Sequence, residues 1–282
     1  MVRAGTLIPA LALLWVACGS PAPKAEVAEG PAVPLAEKPY LSPAELQAWQ
    51  VEGGNPLLVD VRPINEYRQG HIPGAVQLWR DALTRNDLPF GGMAATRATV
   101  EHLLDSLGLT PHRTIVAHDD KGGCEAARLW WILHVYGHRE VVLLDGGWTR
   151  WKSEQQPWDT VAVVPVASGY RFPLPADSSL VATLADVKRG MEQGKGVLLD
   201  TRSMDEYAGD VEKLGAFRHG TIPGSVPYDW GNAVDLQGDH GLKDPRILRQ
   251  QLLDLGIGDG DSVITFCHSG VRSAHTTWWL TR

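Results

Sequence analysis

Ser262-Val263-Ile264-Thr265-Phe266-Cys267-His268-Ser269-Gly270-Val271-Arg272 begins as a short apolar run and ends in a glycine-containing turn. The run up to Phe266 reads as a buried strand, and Ser273-Ala274-His275-Thr276-Thr277-Trp278-Trp279-Leu280 beyond the turn reads as a helix. Cys267 therefore stands at a strand-to-helix joint of an α/β fold. At such a joint the N–H groups of the loop and the positive end of the following helix dipole surround the sulfur and favour its thiolate. A cysteine so placed is read as a reactive nucleophile rather than as a space-filling side chain.

The chain also repeats itself. Val59-Asp60-Val61-Arg62 with Glu66-Tyr67 matches Leu199-Asp200-Thr201-Arg202 with Glu206-Tyr207 at an offset of 140 (200 minus 60). Gly70-His71-Ile72-Pro73-Gly74-Ala75-Val76 matches Gly220-Thr221-Ile222-Pro223-Gly224-Ser225-Val226 at an offset of 150 (222 minus 72), so the second copy carries ten extra residues between these motifs. Leu107-Gly108-Leu109 matches Leu255-Gly256-Ile257, and Trp130-Trp131 matches Trp278-Trp279, both at an offset of 148. The same offset carries Cys267 onto Asp119 (267 minus 148), so the first copy lacks the nucleophile. Its loop, His118-Asp119-Asp120-Lys121-Gly122-Gly123, sets two carboxylates where an anionic ligand would have to bind, which Coulomb repulsion disfavours.

Short apolar runs alternate with helical stretches in each copy, which predicts α/β domains with a parallel sheet. In the first copy the strands are expected at Pro56 to Asp60, Ala75 to Leu78, Arg113 to Ala117 and Glu140 to Leu144. Ser42-Pro43-Ala44-Glu45 opens a helix with an N-cap serine and a proline at the first helical position. Thr99 to Leu107 and Cys124 to Val135 supply the other strong helices. In open parallel sheets ligands bind beyond the carboxyl ends of the strands, and Cys267 sits at one of those ends.

The loop Cys267, His268-Ser269, Gly270, Val271, Arg272 resembles the active-site loop of the rhodanese family of sulfurtransferases. The Asp-x-Arg-x-x-x-Glu-Tyr segments and Ile-Pro-Gly turns of both copies resemble further signatures of that family, so the likeness runs from about residue 40 to residue 282. Cysteine phosphatases of the same fold use five residues between Cys and Arg, whereas four separate Cys267 from Arg272, a smaller ring that suits an added sulfur atom. The resemblance implies two rhodanese-like domains, each a parallel sheet flanked by helices. The expected divisions are an inactive domain over 40–158 that walls one side of the active-site cleft, a linker over 159–175 and a catalytic domain over 176–282. The second copy stops three residues beyond Trp279, before any counterpart of Glu140 to Leu144, so it reads as shortened by its last strand and closing helix.

The resemblance also implies a chemistry. The Cys267 thiolate attacks the outer sulfur of thiosulfate, expelling sulfite, or takes the one sulfur of 3-mercaptopyruvate as its C–S bond breaks and pyruvate leaves, and the resulting persulfide is discharged to cyanide or a thiol. The N–H groups of His268, Ser269, Gly270, Val271 and Arg272 are expected to stabilise the sulfur anion, and Arg272 to bind the anionic part of the donor. Asp200 and Arg202 are expected to brace the loop, although Asp60 and Arg62 occupy the same places in the inert copy, which fits a shared structural role equally well. Glu206 departs from well-studied members, which carry an arginine there that contacts substrate, and this leaves the donor open. Two other classes stand beside the enzyme: a sulfur carrier or redox sensor that does not turn over, and a cysteine phosphatase.

Met1-Val2-Arg3 followed by the apolar run Ala4 to Ala17 has the length of a signal-peptide core and is short for a bilayer span. Val16-Ala17-Cys18-Gly19-Ser20 resembles a bacterial lipoprotein cleavage box, so residues 1–18 are read as a signal segment ending in a lipidated Cys18. Residues 19–39, rich in Pro, Ala and Glu, are read as a flexible tether of an exported, membrane-anchored and otherwise monomeric protein. The formal net charge of −7 argues against a nucleic-acid partner, and small-molecule sulfur donors and thiophilic acceptors are expected instead. Cys18, Cys124 and Cys267 give no disulfide framework, and Cys124 is read as a packing residue. The ten histidines lack zinc-ligand spacing, so neither a metal nor another cofactor is expected.

Overall fold

The computed structural model describes residues 40–281 apart from Pro89 and Lys195. The signal segment, Cys18 and the tether lie outside the described residues. The first copy builds a wholly parallel sheet from β1 (Tyr40–Leu41), β2 (Leu57–Asp60), β3 (Val76–Gln77), β4 (Ile115–His118) and β5 (Val141–Leu144), in the order β1-β5-β4-β2-β3. Strand alternation divides its side chains between two cores. Leu57, Val59, Ile115, Ala117, Val141 and Leu143 meet Val100 and Leu104 of α3 (Arg97–Ser106) and Trp130 of α4 (Cys124–Tyr136). Leu58, Val116, Val142 and Leu144 meet Leu46 and Trp49 of α1 (Pro43–Val51) and Trp151 of α5 (Gly147–Ser153). Each of these side chains is buried on both sides of the pleat, worth roughly 1.5–3 kcal/mol apiece relative to exposure. The N-cap read at Ser42 is formed and extends to a capping box, with the Glu45 carboxylate accepting from Ser42 N at 2.7 Å and Glu45 N donating to Ser42 Oγ at 3.3 Å. The strand β1 and the short helix α2 (Ile64–Gln69) escape the sequence reading because two and six residues are too few to show a period.

The second copy repeats the centre of this design. Its strands β6 (Val197–Asp200), β7 (Val226–Pro227) and β8 (Val263–Phe266) are parallel, in the order β7-β6-β8 that matches β3-β2-β4. Helices α6 (Leu184–Gln193), α7 (Met204–Ala208), α8 (Pro245–Asp254) and α9 (Val271–Leu280) accompany them. Among the described residues no strand pairs with the outer edge of β8. The four residues of β8 are accordingly half-buried, where all four of β4 are buried. The segment between the domains runs along the first one: Asp159 pairs with His71, Gly169 N and Tyr170 N donate to Asp105, Phe172 N to Glu101, and Asp177 N to Val135 O.

Helices α4 and α9 pack on each other, and one hydrophobic core runs from Trp130 and Leu133 through Trp278 and Trp279 to Leu199 and Tyr228. Each copy also reaches over the other's loop. The arm closed by the Thr84–Ala94 bridge lies on the Cys267 loop, so near that a Cβ on Gly92 would sit 2.6 Å from Ser269 Cα. Its counterpart, closed by the Val234–Leu242 bridge, lies on the Asp119 loop, with Val234 Cγ2 3.1 Å from where a Gly122 Cβ would be and His240 Nδ1 2.9 Å from Asp120 O. The arrangement is close to two-fold.

Candidate active site

Cys267 follows the last residue of β8, and α9 begins four residues later behind Gly270. Gly270 adopts φ +77°, ψ 6°, a left-handed conformation that turns its N–H back onto the strand end. That N–H donates to Cys267 Sγ at 3.1 Å, and Ser273 Oγ lies 3.6 Å from the same sulfur. Burial by itself would raise the thiol pKa. The Ser273 N–H and hydroxyl, the Ser269 N–H and the Arg272 charge outweigh it and hold the thiol below its ordinary value. The sulfur is half-buried, so it is both activated and reachable.

Arg272 lies on the first turn of α9 and spends both terminal nitrogens on Glu206 of α7, Nη1 to Oε2 at 2.5 Å and Nη2 to Oε1 at 3.0 Å. The hydrogen bond to Arg272 lowers the Glu206 carboxyl to about 2 against the cost of its burial. The residue read as the donor's anion site is thus engaged by a carboxylate, and the two sequence features taken separately, Arg272 and the unexpected Glu206, are one structural unit. Asp200 ends β6 beside Phe266, in register with it. Arg202 donates Nε to Asp200 Oδ1 at 2.8 Å and Nη2 to Oδ2 at 2.6 Å, and Nη2 also reaches Gly220 O at 2.9 Å. The inert copy builds the same brace, Arg62 Nε to Asp60 Oδ1 at 3.0 Å and Nη2 to Gly70 O at 2.8 Å. A brace found in both copies serves the shared fold. His268 is exposed at the mouth of the loop, while Ser269 and Val271 are half-buried.

The Asp119 loop shows what the first copy builds in the place of the cysteine. Asp119 Oδ1 accepts from Lys121 N and Gly123 N, each at 2.8 Å, and Oδ2 accepts from Glu125 N at 2.7 Å and Ala126 N at 3.0 Å. The carboxylate occupies the N–H cradle at the start of α4 as a built-in anion, and the side chain is 1% exposed. Sequence reasoning expected repulsion of an incoming anion; the structure adds that the cradle is already filled. Cys124 is buried, and burial raises its thiol well above the ordinary value, as a packing residue requires.

The model of the rhodanese-like domain matches residues 42–154 and again 183–282. The chain belongs to the rhodanese-like family. A thiosulfate sulfurtransferase of Pseudomonas aeruginosa is 32% identical over 220 residues, covering 78% of this chain and 79% of that one. The sulfur carrier protein TtuD of Thermus thermophilus is 31% identical over 229 residues, 76% of each chain. The crystal structure of SseA from Escherichia coli, described as a 3-mercaptopyruvate sulfotransferase, superposes with a TM-score of 0.76 at 24% identity over 86% of this chain and 93% of that one, a likeness of fold. The chain is a rhodanese-type sulfurtransferase.

Within this rhodanese three residues near the loop went unread. Ser273 faces the sulfur from the third position of α9, where a hydroxyl was a usable signal. Arg128 lies in the apolar run Ala126-Ala127-Arg128-Leu129-Trp130-Trp131 and is 8% exposed; a charge in the middle of such a run was a signal as well. Gly92 approaches Ser269 across the domain boundary, and no feature of the sequence announces that contact.

Proposed function

We propose that this rhodanese takes the sulfane sulfur of thiosulfate onto Cys267 and passes it to a thiophilic acceptor. The Cys267 thiolate forms a bond to the outer sulfur while the donor's S–S bond breaks and its electron pair leaves with sulfite. Cyanide, or a thiolate, then attacks the outer sulfur of the persulfide, giving thiocyanate or a new persulfide and restoring the thiolate. Each step is a displacement at sulfur, and two easy displacements replace one difficult exchange. The observation that carries this reading is the sulfur of Cys267, depressed in pKa and facing the Gly270 N–H at 3.1 Å. Such a donor stabilises the thiolate and equally the persulfide anion. Because Arg272 is paired with Glu206, the positive potential left for a dianion is smaller than Arg272 alone would give, and 3-mercaptopyruvate, with a single carboxylate, stays a donor to be compared with thiosulfate.

Intact-protein mass spectrometry after thiosulfate and then after cyanide tests the cycle. Gain of one sulfur atom, its loss to cyanide and the absence of both in Cys267→Ser are expected. A folded protein that gains no sulfur from either donor would sink the proposal. Sulfur that loads and is not discharged to cyanide or a small thiol would place the chain with the sulfur carriers, as the name of the Thermus relative suggests for that protein. Export and lipid attachment at Cys18 complete the proposal and rest on residues 1–20 alone. Incorporation of labelled palmitate in a bacterial host, abolished by Cys18→Ser, is the expected result.

A further inference from the structure

Arg128 belongs to the silent domain and yet touches the catalytic loop of the other. It projects from α4, and its Nη1 donates to Gly270 O at 3.2 Å while Nη2 donates to Gly92 O at 2.7 Å. Gly270 is the residue whose N–H holds Cys267 Sγ, and Gly92 is the tip of the arm that lies on Ser269. The guanidinium thus ties three pieces together: its own helix, the arm above the loop and the peptide at the start of α9. The space is spoken for, since a Cβ on Gly270 would meet Arg128 Nη1 at 2.7 Å. Its plane also lies against Trp131, with Cζ 4.7 Å from the ring centroid.

The charge is unusual as well as the geometry. Arg128 is 8% exposed, and among the described residues no carboxylate lies within ion-pair distance of it; both of its hydrogen bonds go to neutral carbonyls. A buried cation without an ion-pair partner is costly and persists where it has an anion to meet; Tyr136 and Glu125 of its own helix also favour its charge, less than Cys267 does. Burial lowers the Arg128 pKa, and the charge of Cys267 is the largest opposing influence. Arg272 also acts on the sulfur, its charge tempered by the pairing with Glu206, while the Cys124 thiol stays protonated and brings no charge.

We propose that Arg128 is a positioning residue for the sulfurtransferase, through which the first domain fixes the Gly270 turn against the Cys267 sulfur and adds a second positive charge, beside that of Arg272, that favours its thiolate. The inference rests on Cys267 being the nucleophile and not on the identity of the donor. The first domain then acts on the chemistry directly, beyond forming a wall of the cleft.

The test is the rate of iodoacetamide alkylation at Cys267 as a function of pH, read by peptide mapping, in the wild type, Arg128→Met and Arg128→Lys. No sulfur donor is needed, so the result stands even where thiosulfate fails to load the protein. In Arg128→Met the titration midpoint of Cys267 is expected to rise by about one pH unit, the low end of what an opposite charge beside a titrating group does. In Arg128→Lys, which keeps a charge but not the two-carbonyl clamp, the midpoint is expected near the wild type, with kcat for sulfur transfer down about tenfold and KM little changed. A folded Arg128→Met whose midpoint equals that of the wild type overturns the proposal. If Arg128→Met fails to fold by circular dichroism, Arg128→Lys decides: a lowered kcat at constant midpoint supports the positioning role, and wild-type kcat and midpoint together overturn it.

Discussion

Asp119 and Cys267 stand at the same place in two copies of one fold, each just beyond the C-terminal end of a parallel strand and just before a helix that opens behind a left-handed glycine. Around Asp119 four backbone N–H groups converge on two carboxylate oxygens, and the side chain is sealed from solvent. Around Cys267 the same kind of cradle, with the Gly270 N–H at 3.1 Å and those of Ser269 and Ser273 beside it, holds a sulfur that is only half-buried. A helix start is an anion site in both. What separates a structural anion from a reactive one is whether the cradle's donors are already fully used and whether solvent can reach the atom they hold. The silent loop spends its donors on holding the chain together; the active loop leaves them free for a sulfur anion that comes and goes.

The sharpest way to break this contrast is at Asp119. Replacing it by alanine leaves four N–H groups at the start of α4 without their acceptor, and loss of about 4 kcal/mol of unfolding free energy is expected, since each bond to a charged group is worth roughly 1.5–3 kcal/mol and water recovers part of it. Urea denaturation followed by circular dichroism reads that loss. Asp119→Cys asks the complementary question. Because the position is 1% exposed, intact mass after thiosulfate is expected to show one added sulfur, not two. Two would mean that the chemistry, and not the burial, had been the missing element.

Much of this was legible in the sequence, for identifiable reasons. The strands β2, β4 and β5 announced themselves as apolar runs because a central parallel strand is buried on both faces. The nucleophile was legible because a turn between strand and helix leaves little choice of where its sulfur points. The pairing of Arg272 with Glu206 was not, although both residues had been singled out: they are 66 positions apart in the chain, and only the placement of α7 against α9 brings them to 2.5 Å. Contacts across the domain boundary were hidden for the same reason. Nothing local in Gly92 foretells Ser269, and nothing local in Arg128 says that its partners are carbonyls on two different loops.

The two copies also supply a matched pair for a smaller effect. Glu66 and Glu206 hold the same place after the Asp-x-Arg motif, but the residue opposite is Cys124 in one copy and Arg272 in the other. Their carboxyls move in opposite directions: burial, with the nearby Asp120, raises Glu66, whereas the hydrogen bond to Arg272 lowers Glu206 to about 2. The consequences for stability have opposite signs. Glu206 stabilises the folded chain fully above its unfolded value of 4.5, and that contribution, about 3 kcal/mol at 1.36 kcal/mol per pH unit, is lost as the pH falls from 4.5 towards 2. Glu66 binds its proton more tightly folded than unfolded, so its contribution is present below 4.5 and is lost as the pH rises through its raised value. In Glu206→Gln the loss of stability between pH 4.5 and 2 is therefore expected to flatten, whereas in Glu66→Gln the change falls above pH 4.5, where the decline of stability with rising pH is expected to flatten. The same Glu206→Gln frees the full charge of Arg272 towards the cysteine loop, so its KM for thiosulfate is expected to fall several-fold, as removal of a neighbouring like charge predicts for a dianion. An unchanged KM would show that Arg272 acts on the cysteine sulfur and not on the bound donor.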